Sequence, residues 1–141
     1  MRRLLDIEPG LENDVLDALA EMEKVPGTID KVIKYVKRIR YTPGKTHTDV
    51  TDGTVYLGDK HLNSDLLFLA STLVHETAHQ RFHRIKNEFD LRIPQQDEER
   101  SCIMRQAEFL ERAGYEMDGV RFTAEELTNL LYSQYLLDGD L

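Results

Sequence analysis

The sequence predicts an α+β fold in a single domain, and three observations carry that expectation. Its 141 residues suffice for one hydrophobic core and not for two. Apolar residues recur at helical spacing through most of the chain. One β-rich stretch, between residues 35 and 57, is folded back on itself by an Asp52-Gly53 hairpin signal. Helices packed on a small sheet of three or so strands satisfy all three, with residues 1–141 as one unit.

Pro9-Gly10 opens an amphipathic pattern of Leu11, Val15, Leu16, Leu19 and Met22, a first helix ending near Lys24. Pro26-Gly27 breaks it, and Thr28 is placed to cap a second helix beginning at Ile29. That helix passes into strand over Tyr35 to Tyr41. Pro43-Gly44 marks a loop, His47 to Thr51 a strand, and Thr54-Val55-Tyr56-Leu57 the returning strand before Gly58. Asn63 or Ser64 then caps a long helix reaching about Lys86. A connection through Asp90 and Pro94 leads to a helix from about Gln96 to Ala113, stopped by Gly114. Thr123-Ala124-Glu125-Glu126 reads as a capping box for a last helix ending near Leu137.

Composition removes several function classes. A formal charge of −8 disfavours nucleic acid as a partner, and the basic run from Lys31 to Arg40 reads as a solvated face. No apolar stretch approaches the ~20 residues of a membrane span. Arg2 and Arg3 meet Asp6 and Pro9 before any secretory apolar region develops. Cys102 is the single cysteine, so no internal disulfide can form, as expected of a reducing compartment. These features together predict a cytoplasmic protein.

The long helix carries His75-Glu76-Thr77-Ala78-His79, an H-E-x-x-H signature. Four residues apart on a helix, the two imidazoles project from one face and can grip a single zinc ion, with Glu76 beside a water on that metal. Chance would place such a motif in a chain of this histidine content only ~0.02 times. The apolar run Leu66-Leu67-Phe68-Leu69-Ala70 and Leu73-Val74 leads into it, so the helix is expected to be buried on most sides.

Catalytic zinc takes three protein ligands and keeps a position open for water. A metzincin pattern is excluded, because Phe82 and Ile85 stand where its glycine and third histidine belong. His83 continues the histidine row, but it lies eight residues from His75, about 12 Å along the axis. Bonds of about 2.1 Å cannot bring both to one ion, so His83 is a rim residue or simply a polar residue near the helix end. The following helix offers Asp97, Glu98 and Glu99. Its apolar residues, from Cys102 to Ala113, centre on a direction about 10° from Glu99, roughly 90° from Glu98 and opposite Asp97. A carboxylate on a buried face needs a metal or a charged partner. Glu99 is the expected third ligand and Glu98 its rival. Gln106, two turns on along the same stripe, either orients a metal ligand or caps a loop backbone.

An H-E-x-x-H helix followed about twenty residues later by a glutamate helix resembles the gluzincin zinc metallopeptidases. The short chain and the hairpin before the motif helix are most similar to the compact minigluzincins. The resemblance covers roughly Val36 to Gly114. Related families often follow the glutamate with E-x-x-A-D or E-x-x-A-N; here Cys102 is small as required, but Ile103 stands where the acid or amide would be. The resemblance implies a zincin-like domain and a peptide or protein substrate. It also implies that Thr54, Val55, Tyr56 and Leu57 form an edge strand bordering the cleft, pairing with an extended substrate.

The expected activity is zinc-dependent peptide hydrolysis with Glu76 as general base. A further donor stabilises the oxyanion in such chemistry; Tyr115, Tyr132, Tyr135 and His83 are available and the sequence selects none. Two alternatives stand beside it: a zinc-stabilised interaction module, and a latent peptidase whose acidic end Asp138-Gly139-Asp140-Leu141 places a carboxylate on the metal. Either a monomer or a homodimer fits the sequence.

Overall fold

Four short strands form one mixed sheet in the order β1-β2-β4-β3, with β1 Asp6–Ile7, β2 Arg38–Tyr41, β3 His47–Asp49 and β4 Thr54–Leu57. These coordinates come from a computed structural model that describes residues 5–138. The N-terminal arginines and the tail beyond Asp138 lie outside the described residues.

β1 reaches its parallel neighbour β2 through a turn of 3-10 helix at Pro9–Leu11 and helices α1 (Glu12–Met22) and α2 (Thr28–Tyr35). Parallel neighbours require such a crossover because a tight turn cannot join them. Thr28 is the first helical residue of α2, not its cap. Gly27 occupies the capping position at φ 86°, a left-handed backbone that glycine adopts without strain.

The hairpin expected around Asp52-Gly53 is present, with His47 opposite Tyr56 and Asp49 opposite Thr54. The strand order corrects one expectation. Thr54, Val55, Tyr56 and Leu57 are not at the edge: β4 pairs with β3 on one side and in parallel with β2 on the other. The edge strands are β1 and β3. The hairpin inserts with its second strand inward because Val55 and Leu57 are fully buried, whereas His47 is exposed.

A single helical turn, α3 (Asp59–Leu62), leads to α4 (Leu66–Phe89), the long helix of the fold. Its cap is Asp65, whose carboxylate accepts from the Phe68 N–H at 2.9 Å; Asn63 instead closes α3, and Ser64 bonds back to the His61 carbonyl. α5 (Gln95–Arg112) packs along α4 and ends at Gly114, φ 80°, with the Tyr115 N–H returning to the Leu110 carbonyl. A two-stranded ribbon follows, β5 (Glu116–Met117) and β6 (Val120–Arg121), turned by Asp118-Gly119 with both residues at positive φ. α6 (Ala124–Asp138) opens with the expected capping box: Thr123 Oγ1 accepts from the Glu126 N–H, and Glu126 Oε1 from the Thr123 N–H.

One continuous core joins these parts, from Val15 and Met22 through Ile39, Leu57 and Leu73 to Leu110 and Leu127. The result is an α+β domain with α4 at its centre. The buried surface of α4 is polar over its middle turns, at Ser71, Thr72, His75, Glu76, Thr77 and Gln80. Among the described residues, no helix is long and apolar enough to cross a membrane.

Candidate metal centre

Burying six polar side chains on one helix is costly unless each finds a partner. The partners come from carbonyls of α4 itself, from α5 and from the sheet edge. Ser71 Oγ donates to the Phe68 carbonyl at 2.6 Å, which leaves its oxygen free to accept from Gln106 Nε2 at 3.0 Å. The other end of the Gln106 amide is then its carbonyl oxygen, 3.0 Å from His75 Nδ1. That oxygen can only accept, so Nδ1 carries the proton and the lone pair of neutral His75 sits on Nε2. Gln106 is wholly buried and serves as the orienting partner of His75.

His79 is fixed in the same sense by a different residue. Its Nδ1 lies 2.7 Å from Glu98 Oε2, and the other Glu98 oxygen accepts from Lys86 Nζ at 2.5 Å. Both imidazoles therefore turn Nε2 toward one point, and Glu99 stands there. Its Oε1 is 2.7 Å from His75 Nε2 and its Oε2 is 3.0 Å from His79 Nε2. The donor atoms of His75, His79 and Glu99 all lie within 4.8 Å of one another. One ion with bonds of about 2.0–2.2 Å fits such a group, and two imidazoles with one carboxylate make a donor set suited to zinc.

Without a metal, the Glu99 carboxylate lies within hydrogen-bond reach of both imidazoles. Burial alone would raise the Glu99 carboxyl, but hydrogen bonds from His75 and His79 outweigh it and hold the group far below the usual carboxylate range. Burial likewise opposes the charged form of His79, yet hydrogen bonding to Cys102, Glu98 and Glu99 carries its pKa well above the ordinary imidazole value. His79 lowers the Glu98 carboxyl, with Lys86 acting in the same direction. The Cys102 thiol beside His79 is raised by burial and stays protonated.

Glu76 lies in the same pocket and is 7% exposed. Burial raises its carboxyl above the usual value, against the lowering influence of His75 and His79. The cavity around it measures about 490 Å³. Its walls bring together His47 and Thr48 of β3, His61 of α3, and Tyr135 of α6. Gln80 pins the sheet edge to the motif helix, donating to the Thr48 hydroxyl and to the Asp49 carbonyl.

The structure thus brings His75, Glu76, His79, Glu99 and Gln106 together as expected, and Tyr135 with them. His83 does not line the cavity and contacts Asn87 at 3.2 Å. Tyr115 packs against Phe68, and Tyr132 lies between Tyr135 and Arg100 rather than on the cavity wall. Thr54 to Leu57 contribute nothing to the lining; His47 and Thr48 of the neighbouring strand take that place. Glu98 belongs to the site as the orienting partner of His79. Sequence reasoning missed His47, His61, Gln80 and Lys86, none of which falls in the five-residue signature. Comparison with protein-family models, curated proteins and solved structures gave no match to this chain.

Proposed function

We propose that the chain is a zinc-dependent metallopeptidase of gluzincin type, most like the minigluzincins. The observation that carries the proposal is the convergence of His75 Nε2, His79 Nε2 and the Glu99 carboxylate beside a buried Glu76. A metal held there supplies Lewis acidity, making water nucleophilic near neutral pH and polarising a carbonyl. Glu76 accepts the proton of the attacking water and returns it to the leaving amine, a role worth about 10²–10⁴ in rate. Its raised affinity for a proton suits both transfers. The edge of β3 offers backbone groups to an extended peptide or protein segment, and Gln80 keeps that edge level with the motif turn. Tyr135 lines the cavity, and its hydroxyl would be the tyrosine hydrogen-bond donor available there.

The direct test combines elemental analysis with a digest of unstructured peptides read by mass spectrometry. One zinc per chain and cleavage lost in Glu76→Gln support the reading. A wild type that cannot be loaded with zinc, or cleavage unchanged in Glu76→Gln, removes it.

One contact favours a latent form of the same enzyme. Lys45 Nζ donates to the Asp138 carbonyl at 3.2 Å, tying the end of α6 to the loop that precedes β3. Thr46 and Tyr135, which flank this bridge, both line the cavity, so the bridge stands beside its mouth. Cleavage that rises in Lys45→Ala supports latency, and cleavage that does not change argues against it. Zinc bound with no cleavage in either protein leaves an interaction module stabilised by metal.

A further inference from the structure

The face of α4 that turns away from the metal residues lines a second cavity, of about 260 Å³, flanked by α2 and α5. Val74, Ala78 and Phe82, spaced four apart, give it an apolar floor about 12 Å long at ~1.5 Å per residue. Val32 from α2 and Phe109 from α5 continue that surface up the sides. Thr77 and Ala78, the two variable positions of the H-E-x-x-H signature, line this cavity, so it backs onto the metal-binding turn.

Four cations surround it: Lys31 of α2, Arg81 of α4, and Arg105 and Arg112 of α5, against the single acid Glu108. None of the four forms an ion pair among the described residues. This concentration of positive charge occurs on a chain of formal charge −8. Lys31, Arg105 and Arg112 are exposed and ring the opening, whereas Arg81 is half-buried at the Phe82 end of the apolar row. A guanidinium in that position presents two parallel donors, the fork that matches a carboxylate.

We infer that this cavity binds a medium-chain carboxylate, its head on Arg81 and its tail lying along Phe82, Ala78 and Val74. A row of about 12 Å matches an extended tail of roughly eight to ten carbons. One half-buried arginine at the end of an apolar floor fits a ligand with one anionic head better than a ligand with charge spread along its length. The three exposed cations raise the local concentration of such an anion and favour its approach. The site is independent of the metallopeptidase reading, since none of its residues is a metal donor or Glu76.

Decanoate is a suitable probe, with decanol as the neutral counterpart of the same length. Each is titrated into the isotope-labelled full-length chain, and backbone amide shifts are followed by NMR. Decanoate is expected to give saturable shifts centred on Val32, Ala78, Phe82 and Phe109, with decanol at least about tenfold weaker. Arg81→Gln should weaken decanoate about tenfold and leave decanol unchanged, while Arg105→Gln, at the rim, should have a smaller effect in the same direction. The dispersion of each variant's spectrum reports that it is folded. Equal binding of decanol and decanoate would overturn the assignment of an anion site. Shifts centred on His75 and His79 would place the carboxylate at the metal residues and overturn it too, as would the absence of saturable shifts.

Discussion

His79 and Glu98 are joined by a contact of 2.7 Å between Nδ1 and a carboxylate oxygen, and it divides the labour of two adjacent acids. Glu99 faces the inner nitrogens of both histidines, whereas Glu98 holds the outer nitrogen of one. The family resemblance places an acid or amide four residues after the ligand glutamate, where this chain has Ile103. Glu98 and Gln106 supply the equivalent support from the positions before and seven residues after Glu99. Substitution of the two acids should therefore differ in kind. Glu99→Ala removes a donor and should abolish tight zinc binding, while Glu98→Ala should weaken it about 10–100-fold. Competition with a chromogenic chelator measures both, and a larger loss in Glu98→Ala would reverse the assignment.

Gln106 makes the same argument for His75. Gln106→Leu leaves Ser71 and His75 Nδ1 without their partner in a fully buried place. The expected cost is about 1–3 kcal/mol of folding stability, with zinc affinity down about 10–100-fold. Urea denaturation of the metal-free protein separates the first effect from the second.

Glu76→Gln should keep the fold and the metal, because it is no ligand and the amide preserves its shape. Hydrolysis should fall by about 10²–10⁴. Zinc content and cleavage are to be measured on the same sample, so that loss of activity with loss of metal can be told apart from loss of the base.

Acid should destabilise the metal-free chain. Hydrogen bonds from the histidines hold Glu99 and Glu98 below the ordinary carboxyl value of 4.5, so their contribution is complete above that value and lost as pH falls through it toward their folded values. His79 is raised from 6.5, so its contribution is complete below that value and disappears only as pH rises through the raised folded value. These are one interaction viewed from two partners. Glu76, raised by burial, works in the opposite sense, one group against the pair. Thermal melts of the metal-free chain should accordingly fall steeply below about pH 4.5. Zinc affinity should rise with pH, because the proton on His79 must leave before the nitrogen can bind metal.

Gly58 tests the packing beneath the hairpin. A Cβ at this position would lie 2.3 Å from the Gly44 carbonyl oxygen, and a backbone atom held in a loop has little room to yield. Its N–H also donates to Thr46 Oγ1, the hydroxyl that meets His61 Nδ1 at 2.6 Å. Gly58→Ala should cost about 1–3 kcal/mol by chemical denaturation.

Helical phase is local, so the sequence was enough to place His75, Glu76, His79 and Glu99 on facing sides of two helices. The same wheel set Glu98 about 90° off the buried face, enough to disfavour it as a donor but silent on its role. That role depends on His79 and Lys86, both on another helix. The hairpin was legible from Asp52-Gly53, but its place in the sheet was not. β2 and β4 pair in parallel across an intervening strand, and nothing in the alternation of Thr54 to Leu57 records a second neighbour. β1 has only two residues, too few to display a period. Asp118-Gly119 did carry a turn signal, but its two flanking strands are equally short. Tyr135 was one of three tyrosines until α6 was seen to bring it, and not Tyr115 or Tyr132, to the cavity wall.

All three proposed metal donors come from the pair α4 and α5, and none from the sheet. An ion bound to them would cross-link two segments about twenty residues apart, in a chain whose lone cysteine cannot form an internal bridge. Such a clasp restrains the connection through Asp90 and Pro94 and the first turn of α5, and places no restraint on β3. Removing the ion should loosen that connection first, while amide exchange in the sheet stays as slow as before. The rim that would receive a substrate is thereby held to the centre that would cut it by Gln80, and not by the ion.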